Sequence, residues 1–132
     1  MSKTTPLVMI IDDDPRYTEM LEVALSAEGF DVQAVHDPRM VYQTAVAVKP
    51  DIIVSDIAMP QMDGYAVAAG LKADPATAGI PLIFVTAKGM SQGSGWRTVE
   101  DNISYITKPF PLPLLVTQLR KLLNERQEKE AQ

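Results

Sequence analysis

Short apolar runs alternate with helix-like segments along this chain. The first run, Leu7 to Ile11, is continuously apolar and ends at a row of aspartates, which is typical of a strand buried on both faces of a parallel sheet. Asp14 and Pro15 then supply a helix N-cap and a first-turn proline. Apolar residues follow at helical spacing until Gly29, where glycine favours a helix end. The pattern predicts one strand followed by one well-capped helix.

The same unit of strand and helix recurs along the chain, although its sequence does not repeat. The later apolar runs are Phe30 to Val35, Ile52 to Val54, Leu82 to Val85 and Tyr105-Ile106. Three of the helices between or after them are marked by Val41, Ala45 and Val48, by Val67 and Leu71, and by Leu115, Leu119 and Leu122. Five strands alternating with five helices predict an α/β fold: a five-stranded parallel sheet, doubly wound, with helices on both faces.

The fourth helix is the least regular element of this pattern. It would lie between Gly89 and Glu100, where three glycines and two serines interrupt the segment. These residues lower helix propensity by about 3–4 kcal/mol against alanine. We therefore predict a helix there that is short, irregular or held only by packing.

Composition narrows the class of protein. A chain of 132 residues with 46% hydrophobic and 22% charged residues is typical of one globular domain. We expect that domain over residues 1–124, and a polar helix end or the start of a linker over 125–132. The chain has no apolar run near the roughly 18 residues of a membrane span and no apolar signal core. These features predict a cytoplasmic location without membrane insertion.

Several kinds of chemistry are excluded by the residue types. The absence of cysteine rules out disulfides, thiol nucleophiles and thiolate metal sites. A single histidine, His36, rules out a zinc site built from several histidines. The net charge of −5 argues against a broad, charge-driven contact with nucleic acid.

Polar side chains follow the apolar runs at the point where each predicted strand ends. The first run is followed by Asp12 and Asp13, the third by Asp56, the fourth by Thr86 and the fifth by Lys108. Because ligands bind beyond the carboxyl ends of parallel strands, we expect these residues to share one pocket. Clustered carboxylates without usable nitrogen or sulfur ligands favour Mg²⁺. The hydroxyl and the ammonium group suit a phosphoryl group, so the set predicts phosphoryl transfer.

One of these carboxylates can itself act as the nucleophile. Asp56 is the best candidate because it stands alone after the third strand, which leaves the adjacent pair Asp12 and Asp13 to hold the metal.

Four motifs carry a resemblance to a known family over nearly the whole chain. They are Asp12-Asp13-Asp14-Pro15, the segment from Pro50 through Asp56 to Gly64, Val85-Thr86-Ala87, and Tyr105 through Lys108-Pro109 to Phe110. In this order and at these separations they resemble the receiver domain of two-component response regulators. The resemblance implies a flavodoxin-like fold and phosphorelay signal transduction. It implies self-phosphorylation and autodephosphorylation rather than enzymatic turnover of an external substrate.

The resemblance also implies a role for each matching residue. Asp56 resembles the aspartate that accepts a phosphoryl group from a histidine kinase or a histidine phosphotransfer protein. Asp13 and Asp56 would then bind Mg²⁺ directly and Asp12 through water, and the backbone carbonyl of Ala58 would complete the protein ligands. The family's Lys-Pro bond, here Lys108-Pro109, is usually cis.

The remaining matches concern the phosphoryl group and the switch. Thr86 and Lys108 would bind the phosphoryl group, and Tyr105 matches an aromatic residue that moves when the threonine moves. This movement would change an output face made by the fourth helix, the fifth strand and the last helix. The output would act through an unknown partner protein or through an output domain outside this sequence.

The chain departs from the family pattern on that output face. Residues 101–104 replace a turn that is usually similar to Gly-Ala-Asp-Asp, and a glycine-rich stretch lies upstream at residues 92–96. One hypothesis is that this segment is mobile and becomes ordered on phosphorylation or on partner binding. Trp96 would then anchor a partner or lie flat on its own domain.

Two alternative functions stay open at this point. A receiver-like interaction module would bind partners without accepting phosphate. A haloacid-dehalogenase-like phosphatase would use Asp12 as its nucleophile with Asp14 two residues later, although Pro15-Arg16 departs from that motif.

Overall fold

The computed structural model describes residues 5–56, 58–59, 62–87, 97–100, 103–108 and 110–130. The strands are β1 (Leu7–Ile11), β2 (Asp31–Val35), β3 (Ile52–Asp56), β4 (Ala58–Met59), β5 (Met62–Asp63), β6 (Leu82–Ala87), β7 (Arg97–Glu100) and β8 (Ile103–Lys108). The α-helices are α1 (Pro15–Ala27), α2 (Val41–Val48), α3 (Gly64–Ala73) and α4 (Leu112–Glu130), and a 3₁₀ turn spans Pro38–Met40. Strands and helices therefore alternate as the apolar pattern predicts over most of the described chain.

The main sheet has the strand order β2-β1-β3-β6-β8-β7. The first five of these strands pair in parallel, which confirms the predicted five-stranded parallel sheet. Strands β4 and β5 form a separate antiparallel pair just after β3. Parallel pairing brings the carboxyl ends of β1, β3, β6 and β8 to one edge of the sheet.

The predicted fourth helix is wrong where the structure describes that segment. Arg97–Glu100 is strand β7, which pairs antiparallel with β8 and shifts register between Thr98 and Glu100. Thr98 and Val99 are β-branched and favour an extended backbone. The pairing also covers the edge of β8, whose backbone groups would otherwise lack strand partners. The described residues thus contain four α-helices, and the rest of the predicted fourth helix, with Trp96, lies outside them.

Helix α1 begins and ends as its sequence predicts. The Asp14 side chain accepts a hydrogen bond from the backbone N–H of Arg16 at 3.0 Å and caps the helix. Gly29 follows the helix with φ +97°, a conformation that glycine adopts without strain. The cap at Asp14 places the first turn of α1 directly beyond the carboxyl end of β1.

The sheet is buried on both faces. One face carries α1 and α4, and its core includes Val8, Val54, Ile83, Ile106, Leu21, Leu25, Leu115 and Leu119. The other face carries α2 and α3, and its core includes Met9, Ile53, Phe84, Val41, Ala45, Val67 and Leu71. This double burial explains the continuous apolar character of the strands.

Helix α4 extends to Glu130, so the first part of the segment predicted as a polar helix end or linker is helical. Arg126 fastens the helix to the loop before β3, because its guanidinium donates a hydrogen bond to the carbonyl of Asp51 at 2.8 Å. Among the described residues, no helix combines the length and apolar character needed to cross a membrane.

Candidate functional site

Three carboxylates meet at the carboxyl edge of the sheet. Asp12 and Asp13 directly follow β1, and Asp56 is the last residue of the neighbouring strand β3. One carboxylate oxygen of each residue lies within 4.8 Å of those of the other two. Asp12 is buried, Asp13 is exposed and Asp56 lies between these extremes. The structure therefore brings together the three acidic residues that the strand ends predict.

Asp12 is the most constrained of the three. Its Oδ1 accepts a hydrogen bond from the backbone N–H of Asp14 at 2.9 Å, and its Oδ2 lies 3.8 Å from Nζ of Lys108. Burial raises the pKa of Asp12 above its ordinary value, against the opposing effects of the Asp14 N–H and Lys108, and the charges of Asp56 and Asp13 raise it further. The surroundings of Asp12 thus disfavour the ionised form of this one carboxyl group.

Lys108 ends strand β8 and reaches the same edge from the other side. Its Nζ lies 4.1 Å from the centroid of the Tyr17 ring, and 35% of its side chain is exposed. The Tyr17 hydroxyl is buried and has no hydrogen-bond partner among the described residues. Burial, followed by the charges of Asp12 and Asp56, raises the pKa of Tyr17, so its hydroxyl stays protonated.

The other predicted site residues are described in part. Thr86 lies near the end of β6 opposite Thr107, one position before the pair formed by Ala87 and Lys108, and its side chain lies outside the described part. Tyr105 is partly buried, and its ring centroid lies 5.3 Å from that of Phe84.

Ala58 belongs to β4, two residues after Asp56 in the chain. Its backbone is thus close in sequence to the acidic cluster. Pro109, and with it the expected cis bond, lies outside the described residues.

The donor set of the cluster fits a hard divalent cation. Mg²⁺ prefers oxygen ligands, and three carboxylates from two adjacent strands supply them. The one histidine of the chain, His36, is not part of this cluster, and its Nε2 is hydrogen-bonded to the Thr18 hydroxyl at 2.7 Å. A cation at this place would also offset the cost of holding Asp12 buried beside two other carboxylates.

Comparison with known proteins assigns the chain to a family. A sequence model of the response regulator receiver domain matches residues 8–120. The chain belongs to this family. Receiver domains are the modules of two-component response regulators that take part in phosphorelay signalling, and nothing in the comparisons favours a dehalogenase-like phosphatase or a phosphate-independent module.

Two curated relatives illustrate the similarity in sequence. The receiver domain is 36% identical over 120 residues to the DNA-binding dual master transcriptional regulator RpaA of Synechocystis, covering 89% of this chain and 49% of that protein. It is 34% identical over 125 residues to the transcriptional regulatory protein TrcR of Mycobacterium tuberculosis, covering 93% of this chain and 47% of that protein. The chain thus spans about half the length of these relatives.

A solved structure agrees with the fold. The signal receiver domain of a signal transduction histidine kinase from Syntrophus aciditrophicus is 26% identical, with a TM-score of 0.73 and 92% of each chain covered. This agreement supports the doubly wound arrangement that brings Asp12, Asp13, Asp56 and Lys108 of this receiver domain to one edge.

Sequence reasoning did not find the contact between Tyr17 and Lys108. The spacing of Tyr17 within α1 indicates only a residue on the apolar face of that helix. Its partner lies at the end of another strand, and no local pattern reports a contact over that separation. The one available signal was the position of Tyr17 in the first turn of α1, just beyond the acidic pair.

Proposed function

We propose that Asp56 of this receiver domain accepts a phosphoryl group from a phosphohistidine on a histidine kinase or a histidine phosphotransfer protein. The observation that carries this proposal is the convergence of Asp12, Asp13 and Asp56 within 4.8 Å, with the Lys108 ammonium 3.8 Å from Asp12. Negative charge that must be neutralised and a cation beside it are the parts that phosphoryl transfer requires.

The proposed step exchanges one bond for another. A carboxylate oxygen of Asp56 attacks the phosphorus, a P–O bond forms and the P–N bond to the donor histidine breaks. The histidine nitrogen keeps the electron pair of that bond, and the proton already on the other ring nitrogen leaves the imidazole neutral. Asp56 suits this role better than Asp12, whose Oδ1 is hydrogen-bonded to Asp14 and whose side chain is buried.

The acidic residues have a second role as metal ligands in this proposal. Asp13, Asp56 and the backbone carbonyl of Ala58 would hold Mg²⁺ directly, and Asp12 would act through water. Held by these residues, Mg²⁺ would supply positive charge against the carboxylates and against the charge that builds up on the phosphoryl oxygens. Lys108 and Thr86 would bind two of those oxygens by charge-assisted and ordinary hydrogen bonds.

The output would arise from a change around Thr86 and Tyr105. A phosphoryl group adds close to two negative charges and three acceptor oxygens near the ends of β6 and β8. Movement of Thr86 toward these oxygens would open space beside the Tyr105 ring, which now packs against Phe84. A bias of this kind acts on an equilibrium that exists already. This change would act on an output domain, as in the DNA-binding relatives, or on a separate protein.

Intact mass spectrometry after incubation with acetyl phosphate and Mg²⁺ tests the proposed acceptor. We expect one added phosphoryl group on the wild-type chain, none on Asp56→Asn and none when EDTA replaces Mg²⁺. Asp14→Asn is the matched control, because it removes a neighbouring carboxylate that caps α1 and should still take up the group. Equal uptake by wild type and Asp56→Asn would contradict the proposal.

A further inference from the structure

Among the described residues, the ammonium of Lys108 has two neighbours of different kinds. Asp12 Oδ2 lies 3.8 Å away, which is beyond hydrogen-bond distance, and the centroid of the Tyr17 ring lies 4.1 Å away. The second distance is well within the range at which the negative face of an aromatic ring attracts a cation. The Tyr17 ring therefore makes a closer interaction with Lys108 than the long ion pair with Asp12 does, relative to the usual range of each kind of contact.

Tyr17 is itself held in a fixed place. It lies in the first turn of α1, whose start is set by Asp14 and Pro15, and it packs against the core between the sheet, α1 and α4. Its buried hydroxyl has no hydrogen-bond partner among the described residues. A buried hydroxyl without a partner does not stabilise the position of the side chain. The polar contact that the structure gives Tyr17 is made by its ring face, with Lys108.

The surroundings of Lys108 make such a contact useful. Lysine has a flexible four-carbon side chain, and about a third of this one is exposed to solvent at the end of β8. Tyr17 and Lys108 line an open groove of about 280 Å³, whose other walls are Met20, Leu21, Phe110 and Leu112. Met20, Leu21 and Leu112 carry no charge or aromatic face that would attract the ammonium. Of the two aromatic walls, Tyr17 is the one whose ring face lies over Nζ of Lys108 among the contacts of the described residues.

From this geometry we propose that Tyr17 is a positioning residue for Lys108. The ring holds the ammonium beside the acidic cluster, so that Lys108 is already in place when a phosphoryl group reaches Asp56. This inference rests on the proposed function for its consequence, because Lys108 must bind the phosphoryl group for its position to affect the rate. The contact itself can be measured without any phosphorylation.

Two substitutions separate the ring face from the rest of Tyr17. Tyr17→Leu removes the aromatic face and keeps an apolar side chain, whereas Tyr17→Phe restores the face without the hydroxyl. By NMR of the metal-free protein, the Lys108 Hε protons should show an upfield ring-current shift in wild type and Tyr17→Phe, and lose it in Tyr17→Leu. Phe110→Leu is the matched control, since it removes another ring of the groove and should leave that shift in place. Random-coil shifts for Lys108 in wild type would overturn the inference.

The kinetic test uses the same variants with phosphoramidate and Mg²⁺. We expect Tyr17→Leu to slow phosphorylation by roughly fivefold to tenfold, the range that a lost cation–π contact supports, and Tyr17→Phe to recover most of that loss. In a Lys108→Ala background, Tyr17→Leu should add no further loss, because its effect passes through the lysine. Two results would overturn the positioning role. One is a wild-type phosphorylation rate for Tyr17→Leu, and the other is the same loss of rate from Tyr17→Leu in the Lys108→Ala background as in wild type.

The two parts of the experiment keep the claims apart. If wild type takes up no phosphoryl group, the proposed function fails, and the ring-current shift still decides whether Tyr17 holds Lys108. If Tyr17→Leu does not give the thermal transition of a folded protein, Tyr17→Met replaces it, since a long unbranched side chain fills irregular space more readily. The same expected and contradicting results apply to that variant.

Discussion

At the scale of single residues, the acidic cluster holds carboxylates together in a way that favours cation binding over stability. Asp12 is 3% exposed and lies beside Asp13 and Asp56. Burial raises the pKa of Asp12, so the folded chain binds a proton there more tightly than the unfolded chain does. Protonation of Asp12 therefore stabilises the folded chain. This contribution to the free energy of unfolding is lost as pH rises from 3.8 through the raised pKa.

We therefore expect Asp12→Asn to stabilise the metal-free protein. At neutral pH the gain should be about 1 kcal/mol, or roughly 3–5 °C in Tm for a chain of this size, because a buried charge and two repulsions disappear. The gain should shrink as pH is lowered, since Asp12 itself becomes neutral. Thermal unfolding in EDTA at several pH values measures this, with the exposed Asp31→Asn as the control. A loss of stability at neutral pH would contradict the account.

A second prediction at this scale concerns Asp14. Its side chain caps α1, but only its backbone N–H contacts Asp12. Asp14→Ala should lower the free energy of unfolding by about 1 kcal/mol, the usual cost of a lost N-cap. Asp14→Asn should keep most of the wild-type stability, because asparagine also caps helices. Denaturant unfolding measures both values. Equal stability of Asp14→Ala and wild type would show that the cap contributes nothing here.

At the scale of elements, the departure from the expected pattern lies at the edge of the sheet. Strand β7 replaces the end of the predicted fourth helix and pairs with β8, the strand that carries Tyr105 and Lys108. An added strand constrains β8 from its outer side. Where the structure describes the segment expected to form this helix, over Arg97–Glu100, the proposed output face carries an antiparallel strand.

Hydrogen exchange tests this element directly. Backbone amides of Arg97–Glu100 that bond to β8 should exchange more slowly than the same residues do in an unstructured peptide of this sequence. A mobile segment, as the glycine-rich sequence suggests, would instead exchange its amides at close to the unprotected rate before phosphorylation. Fast exchange throughout Arg97–Glu100 would argue against β7 and for that hypothesis.

At the scale of the whole molecule, the sequence predicts the features that depend on the order of the parallel strands. It does not predict contacts between residues that are far apart in the chain. Asp12, Asp56 and Lys108 could be placed together because parallel strands end at one edge. Strand β7 could not be predicted, since its pairing depends on the free edge of β8 rather than on a local pattern. The contact of Lys108 with Tyr17 was equally invisible, because it joins a strand end to a helix far away in the chain.

We propose that Asp56, and no other carboxylate of the cluster, becomes phosphorylated. Borohydride reduces an aspartyl phosphate to homoserine, so peptide mass spectrometry after reduction locates the modified residue. After incubation with a phosphodonor and Mg²⁺, we expect homoserine at position 56 in the wild-type chain. Homoserine at position 12 would contradict phosphorylation at Asp56 and would favour the hypothesis of a dehalogenase-like phosphatase with Asp12 as nucleophile.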